Sequence, residues 1–378
     1  MVWTQRLQRA RRLLEYGWVK PRGTEMKDKI KQLSIDASSS ISSALQKMDA
    51  IERKLLIVTD KERFYSILSI GDIQRAIIKG VDLKSPIINI LRDEVGVASP
   101  KDDMEAVRQT MLMERNEYMP IVDEWGNVEK VLFWEDLFSD HASPVKKKLQ
   151  LPVLIMAGGI GSRLRPLTNV FPKALIPIGE KSIIEQIIDS FIEYDCRDYY
   201  VSVNHKAEMI KFYLKDGAAK GIRISYLEED DFWGTAGSIR LLEPYVDSTF
   251  FVSNCDILVD QDYADILEFH KANRNEITIV GAMMSQKLPY GVMHTDNNGM
   301  LIRLEEKPEF FYKINTGLYI LEPSIFVDIP QGEVCQITDI ILKLIGQERR
   351  VGIFPVSENS WTDMGNWNEF LKQTKVLE

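Results

Sequence analysis

A glycine-rich turn directly after a short apolar run constrains the fold of this chain more than any other feature. Residues 151–179 read LPVLIMAGGIGSRLRPLTNVFPKALIPIG. The apolar run at residues 153–156 is short and closely bounded by proline and glycine, which predicts a buried parallel strand rather than a helix. Gly158, Gly159 and Gly161 then permit positive φ angles and let successive backbone N–H groups point at an anion. The stretch therefore predicts a strand that ends in an anion-binding loop.

Basic side chains follow this loop in a pattern that suits a polyphosphate. Arg163 and Arg165 carry guanidinium groups that match phosphate oxygens with paired hydrogen bonds, and Lys173 adds a compact ammonium. The glycine spacing fits neither the dinucleotide-binding pattern G-x-G-x-x-G nor the P-loop pattern G-x-x-x-x-G-K-[ST]. The glycines alone would also fit a tight connection between two elements. Together with the basic residues, they predict a polyphosphate cradle of a different kind.

Composition restricts the functions that such a site can serve. The chain has 378 residues, 45% of them hydrophobic, which is enough for two or three domains with buried cores. A formal net charge of −9 argues against a nucleic-acid-binding surface, so a phosphate site must be local. No apolar run approaches the roughly eighteen residues that span a bilayer, and no secretory signal is visible. Three single cysteines without metal-ligand spacing favour a cytoplasmic location without membrane partners.

Residues 1–25 form a basic segment ahead of the first predicted domain. They have the composition of an amphipathic helix, which would offer a surface to a membrane or to a partner. The sequence from Met26 onward looks like a natural domain start, which favours an added leader or an upstream extension.

Residues 26–149 contain an internal repeat of about 60 residues. Residues 54–77 and 118–138 share the order strand, polar turn, strand and helix, and each segment follows a helical pattern of apolar residues. The two copies, at about 26–85 and 86–142, resemble a pair of CBS domains. These small βαββα modules bind adenine nucleotides or dimerise, so the resemblance implies a homo-oligomer, at least a dimer.

The resemblance to CBS domains extends to particular residues. In that family, a Ser or Thr three positions before an Asp contacts the phosphate of an adenine nucleotide, and the Asp contacts its ribose. Ser69 and Asp72 match this pattern, which is also that of an ordinary helix-capping box. In the second copy Asp136 keeps the ribose position, whereas Phe133 replaces the hydroxyl. We therefore expect one adenine nucleotide per chain, or a purely structural pair.

A second domain, residues 151–378, follows a polar, proline-containing linker at residues 140–150. Apolar strands there alternate with helical patterns, which predicts a doubly wound, mainly parallel α/β sheet. Ligands bind outside the carboxyl ends of the strands in such sheets, and Asp256 follows a strand at that position. We therefore expect Asp256 to lie near the glycine loop, although a lone carboxylate there is also a common cap.

Motifs across this domain resemble the signature of the sugar-phosphate nucleotidyltransferases. GGIGSRLRPLT and FPKALIPIG are followed, in the family's order, by SNCDIL, LEEKPE, INTGLYI and WTDMG. The family includes mannose-1-phosphate guanylyltransferases and glucose-1-phosphate thymidylyltransferases. The resemblance implies a nucleoside triphosphate and a sugar 1-phosphate as substrates, and Mg²⁺ or Mn²⁺ on Asp256 and Asp363. Cys255 departs from a common glycine, and Asp363 with Gly365 would otherwise form a turn.

The resemblance also assigns the remaining residues to subsites. We expect Arg163 to bind the β and γ phosphates, Lys173 the α phosphate and Lys307 the sugar phosphate. The further nucleotide-site residues are Ala157, Gly158, Gly159, Gly161, Ser162, Glu228, Gly234 and Thr235. The further sugar-site residues are Gly291, Glu306, Asn315 and Gly317. A surface ion pair would explain Glu306 and Lys307 without a ligand, and a bulge or turn would explain Gly291 and Asn315.

The order of the two domains narrows the expected nucleotide and sugar. A CBS pair before a guanylyltransferase-like domain resembles enzymes that make GDP-sugars for bacterial surface glycans, including the glucosamine-1-phosphate guanylyltransferases of the legionaminic acid route. GTP is therefore favoured, while UTP, dTTP and CTP remain open. The alternative from another class is a non-catalytic regulatory subunit that senses nucleotides. The phosphate and metal residues are all present, which favours an enzyme.

Overall fold

The computed structural model of the chain describes residues 23–93, 95–114, 117–134 and 146–365. The chain divides into two compact units, residues 1–144 and 145–378. Asp136, most of the predicted leader and the first half of the predicted linker lie outside the described residues. Within the described ranges, no helix combines the length and the apolar character that crossing a membrane requires.

The N-terminal unit consists of short strands and helices in the predicted order. Its described helices are α1 (Gly23–Leu33), α2 (Ile41–Ala50), α3 (Ile70–Ile78) and α4 (Met104–Glu114). Its described strands are β1 (Ser34–Asp36), β2 (Leu55–Asp60), β3 (Arg63–Ser69), β4 (Tyr118–Val122) and β5 (Val128–Phe133). β1 is parallel to β2 and β3 is antiparallel to it, while β4 and β5 form a separate antiparallel pair.

Equivalent contacts recur in the two copies of the repeat. The N–H of Ile70 donates to the carbonyl of Lys54 at 2.8 Å, and the N–H of Trp134 donates to that of Glu117 at 2.9 Å. The fully buried ring of Tyr118 belongs to an apolar core that draws side chains from both copies. The predicted order of helix, strand, turn and strand is confirmed in both copies, and α3 completes the first one.

The C-terminal unit contains the larger set of elements. Its described helices are α5 (Leu167–Val170), α6 (Ile183–Ile192), α7 (Ala207–Leu214), α8 (Gly234–Arg240), α9 (Tyr263–Asn273) and α10 (Ile337–Gly346). Its described strands are β6 (Val153–Met156), β7 (Pro177–Ile178), β8 (Lys181–Ser182), β9 (Asp198–Val203), β10 (Arg223–Glu228), β11 (Phe250–Asn254), β12 (Ile257–Val259), β13 (Ile277–Lys287), β14 (Val292–Thr295), β15 (Leu301–Glu305), β16 (Glu309–Leu321), β17 (Val351–Ser357) and β18 (Trp361–Asp363).

A seven-stranded sheet in the order β10-β9-β6-β11-β16-β13-β17 organises this unit. All neighbouring strands are parallel except at β16, which is antiparallel to both β11 and β13. Alternate residues of β6 enter two different apolar cores. Val153 and Ile155 pack in the core that includes α6 and α9, and Leu154 and Met156 pack in the core that includes α8 and α10. The predicted mainly parallel α/β sheet with helices on both faces is therefore confirmed.

The order of the strands locates the site. From β6, the chain continues to β9 and β10 on one side, and later returns to β11 on the other side. Such a reversal opens a crevice at the carboxyl ends of the two central strands. The glycine loop follows β6 and Asp256 follows β11, so both lie at this crevice.

Candidate active site

A cavity of about 240 Å³ lies at the carboxyl ends of β6 and β11. Met156 and Asn254 are paired across these parallel strands, which brings the glycine loop next to Asp256 as expected. The predicted residues in the cavity wall are Gly158, Gly159, Gly161, Ser162, Arg163, Lys173, Gly234, Thr235 and Asp256. The wall also contains Met156, Glu229, Phe232, Ser238, Asn254 and Cys255.

Two glycines of the loop have no room for a side chain. Gly161 has a φ of 68°, and a Cβ there would lie 2.9 Å from Thr168 and 3.1 Å from the Cβ of Lys173. A Cβ at Gly158 would lie 2.8 Å from Oε1 of Glu229. The glycines therefore let the loop fold closely over the residues that form the cavity. Another predicted residue of this stretch, Ala157, is buried and lies outside the cavity wall.

Two carboxylates and two cations converge at one side of the cavity. The ammonium of Lys173 contacts Oδ2 of Asp256, and only 11% and 9% of these two side chains are exposed. The guanidinium of Arg163 lies 3.7 Å from Oδ2 of Asp256 and 3.6 Å from Oδ2 of Asp363. Because Arg163 bridges the two carboxylates, the structure brings together all four residues that were assigned to phosphate and metal binding.

Asp363 reaches this site through a small antiparallel sheet. β18 pairs with β12, and Asp363 lies opposite Ile257, the residue that follows Asp256. The N–H of Met364 donates to the carbonyl of Asp256 at 2.8 Å, and the N–H of Gly365 donates to Oδ1 of Asp363 at 2.8 Å. Asp363 therefore forms a turn with Gly365 and also contributes its carboxylate to the site, since the turn orients that carboxylate.

The donor atoms of this site fit a hard divalent cation. A Cβ at Gly365 would lie 2.6 Å from Oδ2 of Asp256 and 2.8 Å from Oδ1 of Asp363. The two carboxylates therefore border one small space that the glycine leaves open. Mg²⁺ prefers one or two carboxylates, with phosphate and water oxygens as its other ligands. In the described part of the chain, no group of three or more His, Cys, Asp or Glu residues could hold a metal ion.

Glu229, which no sequence motif indicates, lies in the cavity wall and is buried. The hydroxyl of Ser238 donates to Oε1 of Glu229 at 2.7 Å. Burial raises the pKa of the Glu229 carboxyl, and the hydrogen bond from Ser238 opposes this shift. The predicted nucleotide-site residue Glu228 lies outside the wall, 66% exposed, and pairs with Lys211 at 2.7 Å.

The alternation of side chains along a strand accounts for the difference between these two glutamates. Leu227 and Glu229 are buried, whereas Glu228 between them is exposed. This alternation is the sequence signal that favours Glu229, because an apolar Leu227 on the inner face predicts that the next inward side chain is two residues later.

The start of α8 forms the opposite wall of the cavity. Gly234 has a φ of 74°, and a Cβ there would lie 2.5 Å from the carbonyl oxygen of Cys335. The hydroxyl of Thr235 accepts from the N–H of Ile337 at 2.8 Å. These contacts fix the amino end of α8 against the start of α10. The ring of Phe232, which precedes them, is 53% exposed at the cavity.

Two predicted sugar-site residues, Asn315 and Gly317, lie beside the cavity on β16. Gly317 has a φ of 89°, and a Cβ there would collide with the amide of Asn254 in the cavity wall. Oδ1 of Asn315 accepts from the N–H of Gly317 at 3.0 Å. Thr316, where the family has alanine, is buried and donates to the carbonyl of Val280 at 2.8 Å.

The other sugar-site residues, Gly291, Glu306 and Lys307, lie at the base of the β14–β15 hairpin. A Cβ at Gly291 would lie 3.1 Å from Oε2 of Glu306, so Gly291 and Glu306 are neighbours. Lys307 is exposed and has a φ of 45°. The structure does not bring these three residues into the wall of the cavity.

In the N-terminal unit, Ser69 and Asp72 form the capping box of α3. Oδ2 of Asp72 accepts from the N–H of Ser69 at 2.9 Å and from its hydroxyl at 2.7 Å. Oδ1 of Asp72 pairs with Arg75 and lies 3.1 Å from Nε of Arg92, and only 1% of the Asp72 side chain is exposed. The third predicted residue of this site, Asp136, lies outside the described residues.

Comparison with known proteins relates the C-terminal unit to one family. The model of the nucleotidyl transferase family matches residues 152–378. A mannose-1-phosphate guanyltransferase from Yarrowia lipolytica is 35% identical over 228 residues, covering 58% of this chain and 62% of that protein. A UTP–glucose-1-phosphate uridylyltransferase from Synechocystis is 31% identical over 235 residues, covering 57% of this chain and 60% of that protein.

The chain thus spans about three fifths of the length of these relatives. A solved structure, that of HddC from Yersinia pseudotuberculosis, is 22% identical and is matched over 60% of this chain and 100% of its own length, with a TM-score of 0.48.

Proposed function

Because this chain belongs to the nucleotidyl transferase family, we propose that it transfers a nucleoside monophosphate from a nucleoside triphosphate to a sugar 1-phosphate. The products are a nucleoside diphosphate sugar and pyrophosphate. The observation that carries the proposal is the convergence of Arg163, Lys173, Asp256 and Asp363 beside the glycine loop. A protein that only senses nucleotides would have no need for this combination of cations and paired carboxylates.

The reaction needs no general base. A sugar 1-phosphate is largely dianionic at neutral pH because its second pKa is about 6. One of its oxygens supplies the electron pair for a new bond to the α phosphorus, and pyrophosphate leaves with the pair of the broken bond. Catalysis therefore consists of alignment and of charge neutralisation. We assign Arg163 to the β and γ phosphates and Lys173 to the α phosphate.

Asp256 and Asp363 would hold Mg²⁺ or Mn²⁺, which when bound supplies positive charge at the phosphates. The glycine loop supplies backbone N–H groups to the phosphate oxygens, and Gly158 and Gly161 allow it to approach them closely. Lys307, Glu306, Gly291 and Asn315 remain our assignment for the sugar phosphate and the sugar hydroxyls.

Glu229 supports GTP as the preferred nucleotide. Guanine presents two N–H donors side by side, N1–H and the exocyclic amine, and an ionised carboxylate accepts from both. The corresponding edge of uracil or thymine has one N–H between two carbonyl oxygens, so a carboxylate would face a like partial charge. Ser238 uses one acceptor position of Glu229 and holds the group in place. The ring of Phe232 at the same cavity suits stacking on a base.

We further propose that the product is a precursor of a bacterial surface glycan made in the cytoplasm, with glucosamine 1-phosphate as the first sugar phosphate to test. The relatives include both guanyl- and uridylyltransferases, so UTP, dTTP and CTP belong in the same panel. The N-terminal unit is proposed to be a CBS pair that regulates or dimerises the enzyme. The order of its strands and helices supports this assignment.

Pyrophosphate release from four triphosphates against several sugar 1-phosphates tests the proposal. We expect magnesium-dependent turnover with GTP, and expect Glu229→Gln to shift the preference toward UTP or dTTP, because a glutamine amide both accepts and donates. Absence of turnover with every pair, combined with a melting temperature that adenine nucleotides raise, would favour the nucleotide-sensing subunit instead.

A further inference from the structure

The two carboxylates assigned to the metal are already paired with cations of the chain itself. Lys173 contacts Asp256 directly, with both side chains almost fully buried. Arg163 lies within 3.7 Å of Asp256 and 3.6 Å of Asp363. Two positive and two negative side chains therefore balance one another at the cavity.

Lys173 also borders the same small space as the carboxylates. A Cβ at Gly365 would lie 2.5 Å from Nζ of Lys173, 2.6 Å from Asp256 and 2.8 Å from Asp363. A divalent cation held by both carboxylates would consequently lie close to an ammonium of the same sign. The side chains of Lys173 and Asp256 are only 11% and 9% exposed, so water screens this repulsion less than it would at an open surface.

We propose that Lys173 and the divalent cation compete for Asp256, so that the metal binds well only together with the triphosphate. A metal ion alone would add two positive charges to a balanced cluster. A metal–triphosphate complex carries net negative charge, and its α phosphate offers Lys173 a new partner in exchange for Asp256. This inference rests on the proposed function, and it gives Lys173 a second role, since the same ammonium prevents the metal from occupying the site without the nucleotide.

The proposal has a thermodynamic consequence that can be measured without turnover. The metal and the triphosphate each raise the affinity of the other, and the coupling must be the same in both directions. Replacing Lys173 by a neutral side chain removes the competitor, so it should tighten the binding of metal alone and weaken the coupling. A lysine that acts only as a phosphate ligand would leave the binding of metal alone unchanged.

The test uses Mn²⁺ alone as the probe, with the free ion followed by electron paramagnetic resonance in titrations of the full chain. We expect Lys173→Met to bind Mn²⁺ about tenfold more tightly than the unmodified chain in the absence of nucleotide, a change of about 1.4 kcal/mol. The factor by which GTP tightens Mn²⁺ should fall by a similar amount. Lys173→Gln repeats the measurement with a polar side chain in case Lys173→Met does not fold.

Lys220→Met is the matched control. It removes a lysine that pairs with Asp189 at 2.6 Å and lies 3.9 Å from Glu185. Neither of these carboxylates lies in the cavity wall. This change adds the same net negative charge and should leave Mn²⁺ binding unchanged. Equal or weaker Mn²⁺ binding by a folded Lys173 variant, or equal tightening in Lys220→Met, overturns the competition. Unchanged Mn²⁺ binding in Asp256→Asn would instead remove the metal site of the proposed function.

Discussion

Asp72 in the N-terminal unit and Asp256 in the C-terminal unit are both buried carboxylates held by two cations. Asp72 has Arg75 and Arg92, and Asp256 has Lys173 and Arg163. Their surroundings differ. Asp72 accepts two further hydrogen bonds from Ser69 and starts a helix, whereas Asp256 lies in a cavity wall and shares a cation with a second carboxylate.

The difference shows that an ion pair does not by itself indicate function. The contacts of Asp72 with Ser69 and Arg75 span three residues of sequence, so they form as soon as α3 forms. The partners of Asp256 come from distant parts of the chain and meet only when the sheet is complete. A charged cluster that distant segments assemble beside a cavity is therefore a better candidate for catalysis than one in which a helix end provides most of the partners.

The largest loss of activity is expected when the carboxylates of the cavity are replaced. Asp256→Asn and Asp363→Asn should each lower kcat at least about a hundredfold, since a bound metal contributes several kcal/mol of transition-state stabilisation. Asp72→Asn, assayed in parallel, should keep kcat within about a factor of two. Near-normal turnover of either cavity variant with magnesium would remove that residue from the metal site.

A second experiment separates the two phosphate subsites. Arg163→Ala should weaken the triphosphate about tenfold and spare the sugar phosphate, because Arg163 lies beside the glycine loop. Lys307→Ala should do the reverse, and calorimetric titration of each ligand measures both. If each variant lost both ligands equally, the assignment of separate subsites would be wrong.

Removing Asp72 tests whether its cluster does more than cap a helix. Asp72→Ala should destabilise the N-terminal unit by about 1 to 2 kcal/mol through loss of its half of the capping box, as measured by denaturant unfolding. If an adenine nucleotide binds there, the variant should also lose a coupling of about 1 to 3 kcal/mol between that nucleotide and the affinity for substrate. If AMP, ADP and ATP all fail to bind the full chain and to change its kinetics, Ser69 and Asp72 act only as a helix cap.

The smallest expected effect is a change of stability with pH that the buried carboxyl of Glu229 causes. Burial raises its pKa, so the folded chain holds this proton more tightly than the unfolded chain does. The resulting stabilisation is complete below the ordinary pKa of glutamate and is lost as the pH rises through the raised value. Glu229→Gln does not titrate, so its melting temperature relative to the unmodified chain should increase as the pH rises above the ordinary pKa of glutamate. A difference that stays constant with pH would contradict this expectation.

The sequence predicts the parts of the site that depend on local chemistry. The apolar run before the glycine loop predicts β6, and the strand before Asp256 predicts β11. Because both strands belong to one parallel sheet, their carboxyl ends meet, and the proximity of the loop and Asp256 follows from that geometry. The sequence also predicts the repeat in the N-terminal unit, because each copy has its own local pattern of strands and a turn.

Contacts between distant segments are not predictable in this way. Nothing local to Lys173 indicates that its ammonium contacts Asp256, because the contact depends on the path of the chain between them. The prediction of Glu228 instead of Glu229 fails for a different reason. A shift of one residue at a strand end exchanges the inner and outer faces, so the sequence predicts the exposed glutamate instead of the buried one.

The pairing of β18 with β12 has a consequence for chains that are cut short near their carboxyl end. Every strand of the large sheet, up to β17, precedes Asp363 in the chain, so a chain that ends directly after Ser357 has all seven of these strands but not the second carboxylate. Such a chain would contain the glycine loop, Lys173 and Asp256, yet lack half of the proposed metal-binding pair. The proposed metal site thus depends on a short segment that contributes no strand to the large sheet.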